Sequence, residues 1–359
     1  MSRFTQNILS LMLALTVTAL AQVPPAQLER QLKQAAQSKP NDFTAQHQLG
    51  EFYLQQKRLN EAIPFLERAQ RLDATHYVNA YDLALAYVLT GHADKARAQI
   101  TATLQVREAA ELYALRGEVE EKASDVHAAA AAYYRAAELE PSEKHLLSLG
   151  NLLVRSTNYN EAIKFFSFGL EKYPRSAQLK VGLGITQYSQ GQYEQAVQTL
   201  CAAVDLDPTD ARPYLFLGEM YGVAPTLTEE ITARMAQFIE RHPQNPKAHF
   251  FYALNLRYGR RDGRAVDLAR VEQALQKAIA LDAKLSLAHY ELGLLYAERE
   301  QTAAAIRSLQ TAVRLEPNLT KAHYRLAQLY QRNGQSQLAA RSLATFKRLK
   351  TQEEITKKD

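Results

Sequence analysis

Along most of the chain, apolar residues recur at intervals of three and four in short blocks separated by polar turns. That spacing predicts amphipathic helices, not strands. Leu49, Gly50 and Tyr53 fall on one helical face, and after a polar turn Ala62, Leu66 and Ala69 fall on another. The same two-block pattern returns as Leu149-Gly150 and Leu153, then Ala162, Phe166, Gly169 and Pro174. It returns again as Leu183-Gly184, Ala196, Leu200, Ala203 and Pro208, and as Leu292-Gly293, Tyr296, Ala305, Leu309, Ala312 and Pro317. Small residues recur where two helices must approach closely, turns such as Ser189-Gln190-Gly191-Gln192 separate the helices, and the proline stops the second one.

One helix pair cannot bury its apolar face alone, so such units must stack on one another. The period of about 34 residues and the order Leu-Gly, Tyr, Ala, Leu or aromatic, Ala, Pro resemble the tetratricopeptide repeat. Nine units align, beginning at Phe43, Tyr77, Ala110, Glu143, Ala177, Ala211, Pro246, Ser286 and Thr320. A half-unit carrying Leu28, Leu32, Ala35 and Pro40 precedes them. The resemblance, which extends to secreted or periplasmic bacterial members, implies an all-α fold: a right-handed superhelical solenoid of helix-turn-helix units. It further implies a concave groove lined mainly by first helices, and a role in protein binding.

The chain departs from the pattern in places. It has no tryptophan, and the third unit carries Arg116 and Glu120 at positions normally apolar or aromatic, its register held by Gly117, Ala129, Tyr133, Ala136 and Pro141. The sixth unit breaks after Tyr221 and restarts at Thr228, read as a helix cap followed by Glu229 and Glu230. The seventh is longer around Gly259 to Asp267, which fits a solvated loop, with a lid or a contact as the alternative. The resulting division is a capping helix at 22–42, units one to six at 43–245, units seven to nine at 246–352, and a polar tail at 353–359.

The first 21 residues follow another pattern. Arg3 precedes an apolar run from Ile8 to Leu20 that closes on Ala19-Leu20-Ala21, the layout of a secretory signal cleaved after Ala21. The run is shorter than the roughly 20 residues needed to span a bilayer, and no cysteine follows it for lipid attachment. The expectation is a periplasmic or secreted protein with no transmembrane segment in its mature chain. The lone Cys201, between Leu200 and Ala202, can make neither an internal disulfide nor a zinc site, and reads as a small buried hydrophobe.

Catalytic patterns are not found. The nine histidines include no His-Glu-x-x-His pair, Gly182-Leu183-Gly184 lacks the third glycine of a dinucleotide fingerprint, and there is no phosphate loop or Gly-x-Ser-x-Gly. His249, His289 and His323 recur, each after Ala and before an aromatic, at the position where the family has its large packing residue, so helix packing accounts for them. The reading is a non-enzyme without cofactor or metal.

Charge supplies the remaining clue. Residues 1–240 hold 22 Lys and Arg against 27 Asp and Glu, a net of −5, whereas residues 241–359 hold 21 against 11, a net of +10. A basic end favours a partner with negative charge. The candidate groove is therefore the first-helix face of the last three units: Lys247, Phe250 and Arg257; Tyr290 and Leu294; Lys321, Tyr324, Gln328 and Gln331. Its aromatics fit either a groove for apolar side chains or packing between adjacent first helices. A clamp for a chaperone's C-terminal carboxylate, as one sub-family has, is excluded: Lys321 and Arg325 fit it, but Phe250, Leu254 and Glu291 stand where Lys and Asn are needed. The expected function is an envelope scaffold binding a protein or peptide. The alternatives are an accessory subunit of an envelope assembly or enzyme complex, or a binder of anionic polymer or lipid; nucleic acid is disfavoured.

Overall fold

The computed structural model describes residues 24–258 and 266–356. Within them the chain is all α, with no strand. Helix α1 (Pro25–Ser38) is followed in chain order by α2 (Phe43–Gln55) and α3 (Leu59–Leu72), α4 (Tyr77–Thr90) and α5 (Ala93–Val106), α6 (Ala110–Lys122) and α7 (Val126–Leu139), then α8 (Glu143–Arg155), then α9 (Tyr159–Lys172), then α10 (Ala177–Ser189) and α11 (Tyr193–Leu206), α12 (Ala211–Glu219) and α13 (Thr228–Arg241), α14 (Pro246–Tyr258) and α15 (Leu268–Leu281), α16 (Ser286–Glu298) and α17 (Thr302–Leu315), α18 (Thr320–Arg332) and α19 (Ser336–Thr356). The nine first helices start at the residues set by the repeat. The Met1–Ala21 segment and most of the insertion after Tyr258 lie outside the described residues.

Local chemistry explains the starts. The side chains of Asp42, Ser142, Ser176, Asp210 and Asp267 each accept a backbone N–H from the first turn of the helix that follows. Thr228 is not a cap: it is the first residue of α13, which follows a 3₁₀ turn at Pro225–Leu227, and Leu227 holds the cap position without a side-chain bond. Between the two helices of a pair, one residue adopts a left-handed conformation. It is glycine at Gly91, Gly191 and Gly334, but Lys57, Ser124, Thr157 and Glu300 take the same place with φ of 58–63°.

The recurrent histidines have a structural task. Nε2–H of His249, His289 and His323 donates to the carbonyl six residues earlier, of Pro243, Ala283 and Pro317, at 3.0, 3.1 and 2.9 Å. Each imidazole thus ties the closing turn of one pair to the first helix of the next.

The chain divides into two compact units between Thr157 and Asn158. In the first, Leu49, Tyr53, Leu66, Leu83, Ile100 and Leu112 form a continuous core. The charges that mark the third repeat are neutralised inside it. Glu120, 4% exposed, accepts from Arg97 Nη2 at 2.9 Å and from Arg116 Nε at 2.7 Å, so its burial leaves no unpaired charge.

In the second unit, one apolar cluster runs from Ala196 and Leu200 through Tyr214 and Phe238 to Phe250, Leu275 and Leu295. The boundary drawn at 245/246 passes through this cluster; Tyr214 and Phe238 stack at 4.7 Å beside it, and Gly218 packs against Phe251 across it. A further cluster joins Tyr290, Leu309, Leu326 and Tyr330. Helix α19 continues to Thr356, past the 352/353 boundary, because Thr351 stands where other units have a closing proline. Glu353 accepts a bond from Thr320 Oγ1 at 2.5 Å, so the start of the polar tail is helix docked on α18.

Candidate functional site

The first helices α14, α16 and α18 of the second unit share two pockets. Each helix contributes side chains at alternating spacings of three and four, so that one stripe faces the cavities. On α14 the stripe is Lys247, Phe250, Leu254 and Arg257; on α16 it is Leu287, Glu291, Leu294 and Glu298; on α18 it is Lys321, Arg325, Gln328 and Arg332.

The first pocket, of about 380 Å³, lies toward the N-terminal ends of these helices. Its walls are Phe250, Phe251, Leu254, Leu285 and Leu287 with Tyr188 and Tyr221, and four charged residues line it: Glu219, Lys247, Glu291 and Lys321. Glu291 is only 7% exposed. Its Oε2 accepts from Tyr258 Oη at 2.6 Å and stands 3.8 Å from Arg257 Nη1. Burial holds the Glu291 carboxyl above the usual carboxylate range, against the opposing pull of Tyr258 and Arg257. Desolvation likewise raises the Tyr258 phenol, and the neighbouring Glu291 adds to it.

The second pocket, also about 380 Å³, lies toward the C-terminal ends. Arg257, Tyr258, Leu294, Glu298, Arg325, Gln328 and Arg332 line it. Arg257 is already engaged, donating to Glu298 Oε2 at 2.9 Å and to the Glu291 carbonyl at 3.0 Å. Arg325 bonds Gln328 Oε1 at 3.0 Å, and neither Arg325 nor Arg332 pairs with a carboxylate among the described residues. This pocket thus presents two uncompensated guanidinium groups, the donors suited to carboxylate or phosphate.

The sequence-selected residues separate into three groups. Lys247, Phe250 and Lys321 line the first pocket, and Arg257, Leu294 and Gln328 line the second. Tyr290, Tyr324 and Gln331 line neither. Tyr290 is 6% exposed and packs into the core beneath Lys321, whose Nζ lies 4.6 Å from the ring centroid. Tyr324 turns toward the last helix and packs on Phe346 at 5.0 Å. Glu291 and Arg325, one residue beyond those two tyrosines, take the places on the pocket face. Spacing along α16 admits either set, because Tyr290 and Glu291 both stand at a helical interval from Leu294.

Elsewhere, Cys201 is buried, and burial pushes its thiol up to about 12. Among the described residues no group of three His, Cys, Asp or Glu is placed to hold a metal ion. No helix among them is long and apolar enough to cross a membrane.

Comparison with known proteins gives the fold a family. Models of the tetratricopeptide repeat match residues 43–76, 184–222 and 294–334. No curated protein matches the sequence. Similar solved structures include a tetratricopeptide repeat protein from Parabacteroides merdae, at 12% identity and TM-score 0.52, covering 69% of this chain and 96% of that one. Pseudomonas aeruginosa pilF is similar over 59% of this chain and 96% of its own, at 18% identity and TM-score 0.48. YrrB, a TPR protein with an unusual peptide-binding site, is similar over 51% of this chain and 95% of its own, at 21% identity and TM-score 0.42. The matched repeats, the helix pairs that continue their register between and beyond them, and the fold shared with the Parabacteroides protein together make this chain a tetratricopeptide repeat protein.

Proposed function

We propose that this protein is a non-catalytic scaffold of the bacterial cell envelope that holds a segment of a partner protein against α14, α16 and α18. The observation that carries the reading is the pair of pockets on one face of these helices, gathering apolar walls and unpaired cations. Solenoids of this family offer such faces for protein binding, and the cationic balance favours a partner with negative charge. The envelope location rests on the signal-like pattern of Met1 to Ala21.

Immobilised chain beginning at Gln22 is expected to capture one or a few envelope proteins. Replacing Lys321 and Arg325 together by Glu is expected to weaken capture more at low salt than at high, with helicity unchanged, because both side chains are exposed. Capture that is indifferent to this double change would remove the site from this face. Retention on isolated cell wall in place of protein would instead favour the polyanion reading, which the +10 balance of residues 241–359 supports. Mass spectrometry of exported protein is expected to find Gln22 at the N-terminus.

A further inference from the structure

Resting on that reading, the two pockets also define the chemistry of the segment they hold. Both take part of their walls from α14, α16 and α18, and on each of these helices the lining positions of the second pocket follow those of the first by about seven residues. On α14 they pass from Lys247–Leu254 to Arg257 and Tyr258, on α16 from Leu287 and Glu291 to Leu294 and Glu298, and on α18 from Lys321 to Arg325–Arg332. Seven residues at a rise of 1.5 Å each place the pockets about 10 Å apart along the helix axes. A chain in the polyproline II conformation repeats its side-chain direction every three residues and advances about 9 Å in doing so. One side of such a segment meets both pockets.

The pockets ask for different side chains. The first is walled by Phe250, Leu285, Leu287 and Tyr221, and its formal charges cancel. Glu291, which also lines it, has its Oε2 held by Tyr258. The second pocket holds Arg325 and Arg332 without a carboxylate, while Arg257 is neutralised by Glu298. We propose that the second unit recognises an extended segment bearing a large apolar side chain and, three residues away, a carboxylate: the first enters the pocket over Phe250 and Leu287, and the second bridges Arg325 and Arg332.

Fluorescence anisotropy on the chain beginning at Gln22 tests this with labelled peptides Gly-Phe-Pro-Pro-Glu-Gly and Gly-Glu-Pro-Pro-Phe-Gly, which carry the two groups at the required spacing in either direction. Control peptides replace Glu by Lys, replace Phe by Ala, or set Phe and Glu side by side. One of the two test peptides is expected to bind about tenfold or more tightly than every control, as loss of a charge-assisted pair or of a buried aromatic would require. The Arg325→Glu, Arg332→Glu double variant, checked for unchanged helicity by circular dichroism, is expected to reverse the preference toward the Lys control. Equal binding of all Phe peptides, whatever their charge or spacing, overturns the proposal and leaves the protein-binding reading standing. Binding of neither test peptide also overturns it, and the capture experiment then decides the protein-binding reading separately.

Discussion

Gly293 offers the sharpest test of how the repeats are packed. A Cβ on this residue would lie 2.7 Å from Leu309 Cγ, 3.1 Å from its Cδ2 and 3.3 Å from the Ala305 carbonyl oxygen. Carbon atoms in ordinary contact sit about 3.5–4.0 Å apart, so α16 and α17 must separate by roughly 1 Å or Leu309 must leave its rotamer. Leu309 is fully buried beside the second pocket, so the added methyl must either drive it toward that cavity or part the helices. Alanine is tolerated at the equivalent place in other units, at Ala84, Ala253 and Ala327, so the test uses the branched Gly293→Val. Overpacking of this kind costs about 1–3 kcal/mol, and the better helix propensity of valine returns only a few tenths. A net loss of about 2 kcal/mol is expected. Because repeat arrays need not unfold as one, hydrogen exchange is the appropriate assay, with amides of α16 and α17 losing protection and those of α2 and α3 unaffected. Leu309→Ala alone should cost about 2–5 kcal/mol, but much less in the valine background, since the two changes compete for one space. Unchanged protection in Gly293→Val, or strictly additive losses in the double variant, would refute the close-approach argument.

Three further outcomes follow from individual residues. Cys201, its thiol raised by burial, is expected to resist a thiol reagent at pH 8 in the native protein and to react fully once the chain is unfolded in urea. Asp82 is pushed up to about 6, first by burial and then by the neighbouring Glu51. The folded state therefore holds its proton more tightly than the unfolded state, and this group's contribution to stability falls as pH rises from about 4 to 6 and stays lost above; Asp82→Asn is expected to flatten that part of the urea-midpoint profile and to raise stability at neutral pH. Thr157 has φ of 58°, a costly value for a β-branched residue, so Thr157→Gly should stabilise by about 0.5–1 kcal/mol and the reverse change Gly191→Thr should destabilise, both read as shifts in melting temperature.

The amino-acid sequence by itself determined the helix pairs and their register, because those depend on signals within a few residues of each other. Leu183, Gly184, Ala196 and Leu200 mark the contact between two helices of one pair whatever surrounds them, and capping Asp and Ser residues mark the starts. The groove was legible only in part. Lys247, Arg257 and Lys321 line the two pockets, but nothing local distinguishes the fifth position of a first helix from the sixth. Tertiary packing decided that Tyr290 fills the core while Glu291 lines the pocket, since an aromatic ring gains more from burial against Leu326 and Leu309 than from exposure, and the adjacent carboxylate is tolerated only because Tyr258 and Arg257 reach it from the neighbouring helix. Tyr324 was drawn away from the same face by Phe346 of α19, the second helix of its own pair. Which face of a helix becomes a surface is set by what the next helix brings to it, and that information lies about one repeat away along the chain.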